Sequence, residues 1–265
     1  YSANLGVFSA LRDEIDWVLQ DKLNHASLID GNRLIGLPVQ RYLHNNLESL
    51  ENKLKKQTGT GLIVTDNVFS MDGDRANIEG IKTIAAQSGA LLMQDDAHGF
   101  GIFESTIPDH SIYMATLGKA AGVMGAFVSG SSDLIEFLIQ KSRPYIYTTA
   151  ISPSMCVATL KSLELIKKGE QKEKLFSKIN YFKDCAETLD LHFEPSESAI
   201  QPLIIGSSNK ALDLSNKLFE AGYFVGAIRP PTVPLNTARL RFTLSANHNF
   251  SQIESLLQKV KDVMA

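Results

Sequence analysis

Two short segments carry side chains that could do chemistry together. Asp95-Asp96-Ala97-His98-Gly99 follows one apolar, strand-like run, and Thr116-Leu117-Gly118-Lys119 follows another. A lysine held in an apolar site loses affinity for its proton and can then attack a carbonyl. Pyridoxal phosphate needs such a lysine for its aldehyde, an acid for its pyridine nitrogen, and polar groups for its phenolic oxygen and phosphate. The two segments therefore predict a pyridoxal phosphate site at the carboxyl ends of neighbouring strands.

Each segment alone has a simpler explanation. The paired aspartates could belong to a loop with helix caps, or could bind a divalent metal together with His98. We disfavour a metal because the histidines outside this segment show no paired ligand spacing. Lys119 could be an ordinary exposed lysine. A phosphate-binding loop does not fit, because Ala120 follows Lys119 where that pattern requires Ser or Thr. A dinucleotide-binding oxidoreductase is disfavoured because no Gly-x-Gly-x-x-Gly follows a predicted strand.

Composition and charge narrow the class of protein. The 265 residues carry 26 Lys+Arg and 29 Asp+Glu, a net charge of −3, which disfavours a nucleic-acid or membrane-surface partner. Hydrophobic residues make up 44% and charged residues 21%, which is typical of a globular chain. The two cysteines, Cys156 and Cys185, cannot form a disulfide framework and favour a cytoplasmic location. Because Tyr1-Ser2-Ala3-Asn4-Leu5-Gly6 reads like the middle of a domain, we expect an N-terminal part to be missing.

The elements that must position these residues alternate between strand and helix in the first 150 positions. Strands are predicted at 17–20, 39–43, 62–65, 90–93, 112–116 and 126–129, and helices at 25–35, 47–56 and 78–87. This alternation is typical of an α/β domain with a mainly parallel sheet and helices on both faces.

The second half has a different pattern. Two long amphipathic helices, 154–168 and 173–189, precede strands at 202–205, 224–228 and 239–244 and helices at 211–221 and 251–264. We therefore predict a large cofactor-binding domain over 1–150, and a linking helix with a small C-terminal α+β domain over 151–265.

Taken together, five segments resemble the α-oxoamine synthase family of fold-type-I pyridoxal phosphate enzymes. They are Tyr1 to Gly6, Asp21 to Ser27, Thr65 to Asp74, Asp95 to Gly99 and Thr116 to Lys119, and they follow the family's order across the whole chain. The stretch 99–112 is shorter than the family pattern and lacks its glycine-rich loop.

The resemblance implies three catalytic residues. Lys119 would carry the cofactor covalently and then act as the base at the substrate α-carbon. Asp95 would pair with the protonated pyridine nitrogen, while Asp96 would be structural. His25 would stack on the cofactor ring and contact the substrate.

Further cofactor contacts follow from the same resemblance. His98 and Ser70 would bind the phenolic oxygen, and Thr116, Tyr1 and Ser2 the phosphate. Thr148 and Thr149 would reach the phosphate of a neighbouring subunit, which implies a homodimer with shared active sites. Ser70 could instead be a turn residue, Thr148 and Thr149 could be ordinary strand residues, and Asp72-Gly73-Asp74 is predicted to be a solvated turn rather than a calcium loop.

Within this family, the stretches from Ile228 to Pro234 and from Thr237 to Arg241 resemble those of enzymes with one particular activity. It is the decarboxylating condensation of L-alanine with a pimeloyl thioester, carried by coenzyme A or a carrier protein, early in biotin synthesis. Arg241 would bind the alanine carboxylate, with Arg229 a second candidate or a structural ion-pair partner, and Thr232 would contact substrate. The alternatives are a sister synthase that uses glycine or serine, and a non-catalytic α/β binding module.

Overall fold

The computed structural model describes residues 1–105, 107 and 111–264, and the chain forms two compact units. The first unit comprises Tyr1–Phe69 and Arg75–Glu164, and the second comprises Ser70–Asp74 and Leu165–Ala265. The division at 164/165 falls inside one continuous helix. The shortened stretch 99–112 includes positions 106 and 108–110, which lie outside the described residues.

The first unit is built on a six-stranded sheet. Its strands are β1 (Trp17–Asp21), β2 (Gln40–Tyr42), β3 (Gly61–Asp66), β4 (Leu91–Asp95), β5 (Ser111–Thr116) and β6 (Ala126–Ser129). Their order is β2-β1-β3-β4-β5-β6, and every neighbouring pair is parallel except β5 and β6. The predicted mainly parallel sheet is confirmed.

Among the described residues, seven helices accompany this sheet. They are α1 (Ser2–Leu11), α2 (Ala26–Ile35), α3 (Leu47–Leu54), α4 (Ile78–Ser88), α5 (Ser132–Lys141), α6 (Arg143–Ile146) and α7 (Pro153–Lys168), which continues into the second unit. Two of these helices have defined caps: the Asn46 side chain accepts from the Ser49 N–H at the start of α3, and Gly36 ends α2 with φ 77°. Helix α1 was missed because six of its ten residues are buried, which leaves no polar stripe to reveal the period.

Alternation along the strands sends side chains to two apolar layers. Leu62 and Val64 pack in one layer with residues of α1, α2 and α5, while Ile63 packs in the other with residues of α3 and α4. Helix α1 lies so close to α2 that a Cβ on Gly31 would stand 2.3 Å from Cδ2 of Phe8. Both sheet faces are thus covered, and the strand ends are held at fixed spacing.

The second unit is a small α+β structure, as predicted. Strands β7 (Ile200–Gly206), β8 (Gly226–Ile228) and β9 (Ala238–Thr243) form an antiparallel sheet in the order β7-β9-β8, with helices α8 (Glu170–Thr188), α9 (Ser208–Glu220) and α10 (Phe250–Met264).

The prediction of a solvated turn at Asp72-Gly73-Asp74 is wrong. Asp72 forms an ion pair with Arg239 of β9, and the Gly73 carbonyl accepts from the Ser196 hydroxyl at 2.9 Å. Gly73 is buried with φ 74°, and a Cβ there would meet the Ile200 carbonyl oxygen at 2.4 Å. The segment is packed into the second unit because its glycine allows that close approach.

Among the described residues, no helix combines the length and the apolar character that a membrane crossing requires.

Candidate active site

Polar residues end four parallel strands at one edge of the first unit's sheet. They are Asp21 on β1, Asp66 on β3, Asp95 on β4 and Thr116 on β5. Asp66 and Asp95 are register partners, so their Cα atoms lie side by side across the two strands. Carboxyl ends of parallel strands are where open α/β sheets bind ligands.

Asp95 is a buried carboxylate with a defined set of donors. Only 3% of the residue is exposed, and its two oxygens accept from Asn4 Nδ2 at 2.7 Å and from the Ala97 N–H at 3.0 Å. Burial raises the pKa of Asp95, while these two hydrogen bonds and the charges of Lys119 and His25 act in the opposite direction. A protonated ring nitrogen is the kind of partner that would keep this carboxylate ionised.

His25 is tied to Asp95 through a chain of polar side chains. Its Nδ1 lies 2.8 Å from the Ser27 hydroxyl, which also accepts from Asn4 Nδ2 at 2.8 Å. Asn4 therefore bridges Ser27 and Asp95. Burial lowers the pKa of His25, which favours the neutral imidazole. A neutral ring held in this way can pack on a planar cofactor.

Lys119 lies on the turn that follows β5. Its positive charge partly offsets the effect of burial, which raises the pKa values of Asp95 and Asp66, and it helps to lower the pKa of His25. Lys119 therefore acts on the same strand ends. Its side chain is exposed, whereas the nucleophilic lysine considered from the sequence would be buried. Thr116 shapes this turn, because its hydroxyl accepts from the Gly118 N–H and donates to a backbone carbonyl, each at 3.2 Å. Its contact with a phosphate stays a prediction.

The other residues proposed for the first unit lie around this edge or on exposed segments. The Tyr1 and His25 rings meet edge to face at 6.1 Å between centroids, and Ser2 is the first residue of α1. His98 is half-buried in the turn after β4, and Thr148 and Thr149 are exposed between α6 and α7.

Asp96 differs from Asp95 although the two are adjacent. Its Oδ2 accepts from the Tyr113 hydroxyl at 2.6 Å and from the Ser105 hydroxyl at 2.7 Å. Both donors belong to the protein's own framework, which agrees with the structural role expected of Asp96.

The remaining proposed residues belong to the second unit: Ser70, Arg229, Thr232 and Arg241. Arg241 is half-buried, and its side chain makes no hydrogen bond or ion pair with any residue that the structure describes; its Nε is buried without a partner. Burial lowers the pKa of its guanidinium. A buried guanidinium with open donors fits a carboxylate ligand. Ser70 is half-buried, and Arg229 and Thr232 are exposed.

Sequence reasoning missed three residues of this network. Asn4 and Ser27 lie in helices, and only the packing of α1 on α2 brings them together. Asp66 had a usable signal, since it follows a buried β-branched run in the way that Asp95 follows its own strand.

Within the described part of the chain, no group of three or more His, Cys, Asp or Glu residues could hold a metal ion.

Comparison with known proteins places the chain among pyridoxal phosphate enzymes. The sequence matches the family aminotransferase class I and II over residues 1–260. It is 48% identical to 8-amino-7-oxononanoate synthase of Pseudomonas entomophila (strain L48), over 99% of this chain and 70% of that protein. The fold matches a high-resolution structure of serine palmitoyltransferase (SPT) with pyridoxal phosphate (PLP). The TM-score is 0.91 and the identity 27%, and the match covers 99% of this chain and 70% of that one. It also matches 8-amino-7-oxononanoate synthase from Francisella tularensis (TM-score 0.83, 31% identity, 98% of this chain, 79% of that one).

Proposed function

We propose a function for this chain from one premise: it belongs to the aminotransferase class I and II family and, within that family, to the 8-amino-7-oxononanoate synthases. The chain is accordingly a pyridoxal phosphate-dependent acyltransferase of early biotin synthesis. Its reaction condenses L-alanine with a pimeloyl thioester and releases carbon dioxide and the free thiol.

The observation that carries this proposal is the arrangement around Asp95. A buried carboxylate is held by Asn4, lies within the electrostatic reach of Lys119, and is linked by hydrogen bonds to His25. These groups match the needs of the cofactor one by one: an acid for the ring nitrogen, an amine for the aldehyde and a planar ring for stacking.

The bound cofactor would supply the electron sink that stabilises a carbanion at the amino acid's α-carbon. Asp95 would keep the ring nitrogen protonated, because an adjacent carboxylate favours the charged form of a base. Lys119 Nζ would attach the cofactor and, once released by the incoming amino acid, take the proton from the alanine α-carbon. His25 would cover one face of the ring.

The second unit supplies the candidate for the substrate carboxylate. Arg241 has open, half-buried donors, and a guanidinium binds a carboxylate through two parallel hydrogen bonds. Arg229 and Thr232 are proposed to contact the substrate, and Ser70 and His98 the phenolic oxygen. Tyr1, Ser2 and Thr116 are proposed for the phosphate, where the N–H groups at the start of α1 favour an anion.

The bond changes balance as follows. The alanine α-carbon forms a bond to the thioester carbonyl carbon, and the carbon–sulfur bond breaks with departure of the thiol. The alanine carboxylate leaves as carbon dioxide. A proton then returns to the former α-carbon, and Lys119 would deliver it.

Alanine is favoured over serine by the higher identity to 8-amino-7-oxononanoate synthase (48%) than to serine palmitoyltransferase (28%). A single methyl group separates alanine from glycine and is worth only about 1–3 kcal/mol of discrimination. A panel of the three amino acids with pimeloyl-CoA, and then with a pimeloyl carrier protein, would identify both substrates by the mass of the product. A higher kcat/KM for glycine or serine would move the chain to a sister activity.

The cofactor assignment is tested by chemistry at Lys119. Incubation with pyridoxal phosphate should give a visible absorbance band, and borohydride reduction should fix a cofactor-sized mass on the peptide that contains Lys119. The Lys119→Ala variant should lose both the adduct and turnover. Turnover retained by this variant would contradict the proposal.

We also propose that the active enzyme is a homodimer with shared sites. Large apolar side chains are exposed between positions 124 and 160, and no residue of α7 is buried. The exposed fractions are 74% for Met124, 63% for Tyr145, 73% for Tyr147, 67% for Val157 and 63% for Leu160. So much exposed apolar surface is typical of a protein interface. Sedimentation should therefore give twice the mass of one chain.

Sharing of the sites has its own test. If Thr149 reaches the phosphate of the neighbouring subunit, Lys119→Ala and Thr149→Asp chains should each be inactive alone. Refolded together, they should regain activity, since one site of each mixed dimer keeps both residues. No recovery in confirmed mixed dimers would rule out this contact.

One finer point concerns the location of the protein. Both cysteines, Cys156 and Cys185, are free thiols, which supports a reducing, cytoplasmic location.

A further inference from the structure

A second carboxyl group stands beside Asp95 and has no part in the proposed chemistry. Asp66 ends β3, is the register partner of Asp95, and is only 4% exposed. Burying a carboxyl group is costly unless hydrogen bonds hold it, so its contacts show what it does.

The contact of Asp66 that matters is with the backbone of His25. Asp66 Oδ2 accepts from the His25 N–H at 2.6 Å. The preceding residue, Asn24, is fixed to the same strand end, because its Oδ1 accepts from the Asp66 N–H at 3.1 Å and its Nδ2 donates to the Val64 carbonyl at 2.9 Å. Three hydrogen bonds thus fasten the Asn24-His25 step to the end of β3.

His25 is the residue at which helix α2 starts. Its backbone is extended there (φ −57°, ψ 148°), and its carbonyl accepts from the Leu28 N–H at 3.0 Å. Its Nδ1 is engaged by Ser27. The backbone anchor at Asp66 and the ring anchor at Ser27 together fix the direction of the imidazole, while the remaining ring nitrogen, Nε2, is not used in either anchor.

We propose that Asp66 is the positioning residue of His25. Its carboxyl group holds the His25 backbone so that the imidazole points to the strand ends where Asp95 lies. The inference deepens the proposed function, on which the role of His25 toward the cofactor rests.

The charge state of Asp66 indicates which substitution should keep its hydrogen bond to the His25 N–H and which should remove it. Burial and the nearby Asp95 raise the pKa of Asp66, which favours its neutral form. A neutral acid accepts the His25 N–H through its carbonyl oxygen, and an asparagine amide offers the same oxygen at the same place. Asp66→Asn therefore preserves the anchor, while Asp66→Ala removes it.

The first measurement needs no cofactor. In protein with isotopically labelled histidine, the His25 imidazole resonances are assigned by their loss in His25→Ala. We expect Asp66→Ala to shift these resonances and Asp66→Asn to leave them near their original positions. Unchanged resonances in Asp66→Ala, or equal shifts in both variants, would overturn the proposal. If Asp66→Ala fails to fold, Asp66→Ser replaces it, since serine is too short to reach the His25 N–H.

The second measurement uses the protein loaded with pyridoxal phosphate. Asp66→Ala should lower kcat/KM about 10- to 100-fold, the cost of a misplaced group near the reacting atoms. It should also alter the visible circular dichroism of the cofactor, and in a His25→Ala background it should change neither quantity further. An undiminished effect in that background would show that Asp66 acts on Asp95 instead. If the resonances respond to Asp66→Ala but not to added pyridoxal phosphate, the positioning stands and the proposed role of His25 fails.

Discussion

The two units hold their charged groups in opposite ways. In the first unit, Asp95 is buried and already accepts from Asn4 and from the Ala97 N–H. In the second unit, Arg241 is half-buried, and its Nε has no partner among the described residues. A carboxylate with fixed donors suits a cofactor that stays bound, whereas a guanidinium with open donors suits a substrate that enters and leaves.

The second unit repeats this contrast along one strand. Arg239 and Arg241 are two residues apart on β9, yet Arg239 is 5% exposed and paired with Asp72. Two nearby arginines of one strand therefore differ in role. Arg239 holds the segment that contains Asp72 in place, whereas the donors of Arg241 remain available to a ligand.

The largest effect on activity should follow from removing the charge of Asp95. Asp95→Asn should lower kcat by a factor on the order of 10²–10³, the usual loss when a preorganised charged group is removed from an active site. Asp96→Asn is the matched control, because its partners Tyr113 and Ser105 are framework residues. Steady-state kinetics of both variants make the comparison, and equal losses would remove the distinction drawn between the two carboxylates.

Removing the paired arginine should cost stability. Asp72 would lose its partner in Arg239→Ala; because 30% of the Asp72 side chain is exposed, losing this charged hydrogen bond should cost about 1.5–3 kcal/mol. Urea unfolding measures the change in the free energy of unfolding. A variant as stable as the parent would show that Asp72 and Arg239 contribute nothing net.

Replacing the unpaired arginine should affect substrate binding instead. Arg241→Lys keeps the charge but loses the two-pronged geometry, and we expect a loss of about 2 kcal/mol, or a roughly thirty-fold higher KM for L-alanine. Pyridoxal phosphate binding and the unfolding transition should stay near those of the parent. An unchanged KM would contradict the assignment of Arg241 to the carboxylate.

The smallest effect concerns the pH dependence of stability. Because the folded-state pKa of Asp66 is raised, the folded chain keeps a proton that the unfolded chain releases. The free energy of unfolding should therefore fall as pH rises from about 4 toward the folded pKa, by up to about 1.4 kcal/mol per pH unit for one proton. Asp66→Asn should reduce this slope without abolishing it, because burial also raises the pKa values of Asp95 and Asp96. Urea unfolding of the parent and of Asp66→Asn across that pH range measures both slopes. Equal slopes in the two proteins would assign the proton to another group.

The strands of the first unit were predictable because their β-branched runs are short and bounded by polar residues. The same pattern revealed Asp95 and the turn with Lys119, since both follow such runs. Helix α1 was not predictable from periodicity, because burial on most of its sides removes the polar stripe. Asn4 was missed with it, although it bridges Asp95 and Ser27.

Other features depend on contacts between distant parts of the chain. The anchor between Asp66 and His25 joins residues 41 positions apart, and the ion pair of Arg239 with Asp72 joins residues 167 apart. Neither pairing leaves a local pattern, so sequence spacing alone could not have shown them.

The excursion of Ser70–Asp74 into the second unit limits how this chain can be divided. The path leaves the first unit after Phe69 and returns at Arg75, where an antiparallel bridge between Val68 and Arg75 closes the loop. A fragment cut in α7 and expressed from Leu165 onward would lack Asp72, leaving the Arg239 guanidinium buried without its counter-charge. The second unit therefore cannot be expressed as one continuous segment. A fragment that begins at Leu165 would still lack residues 70–74, which belong to this unit.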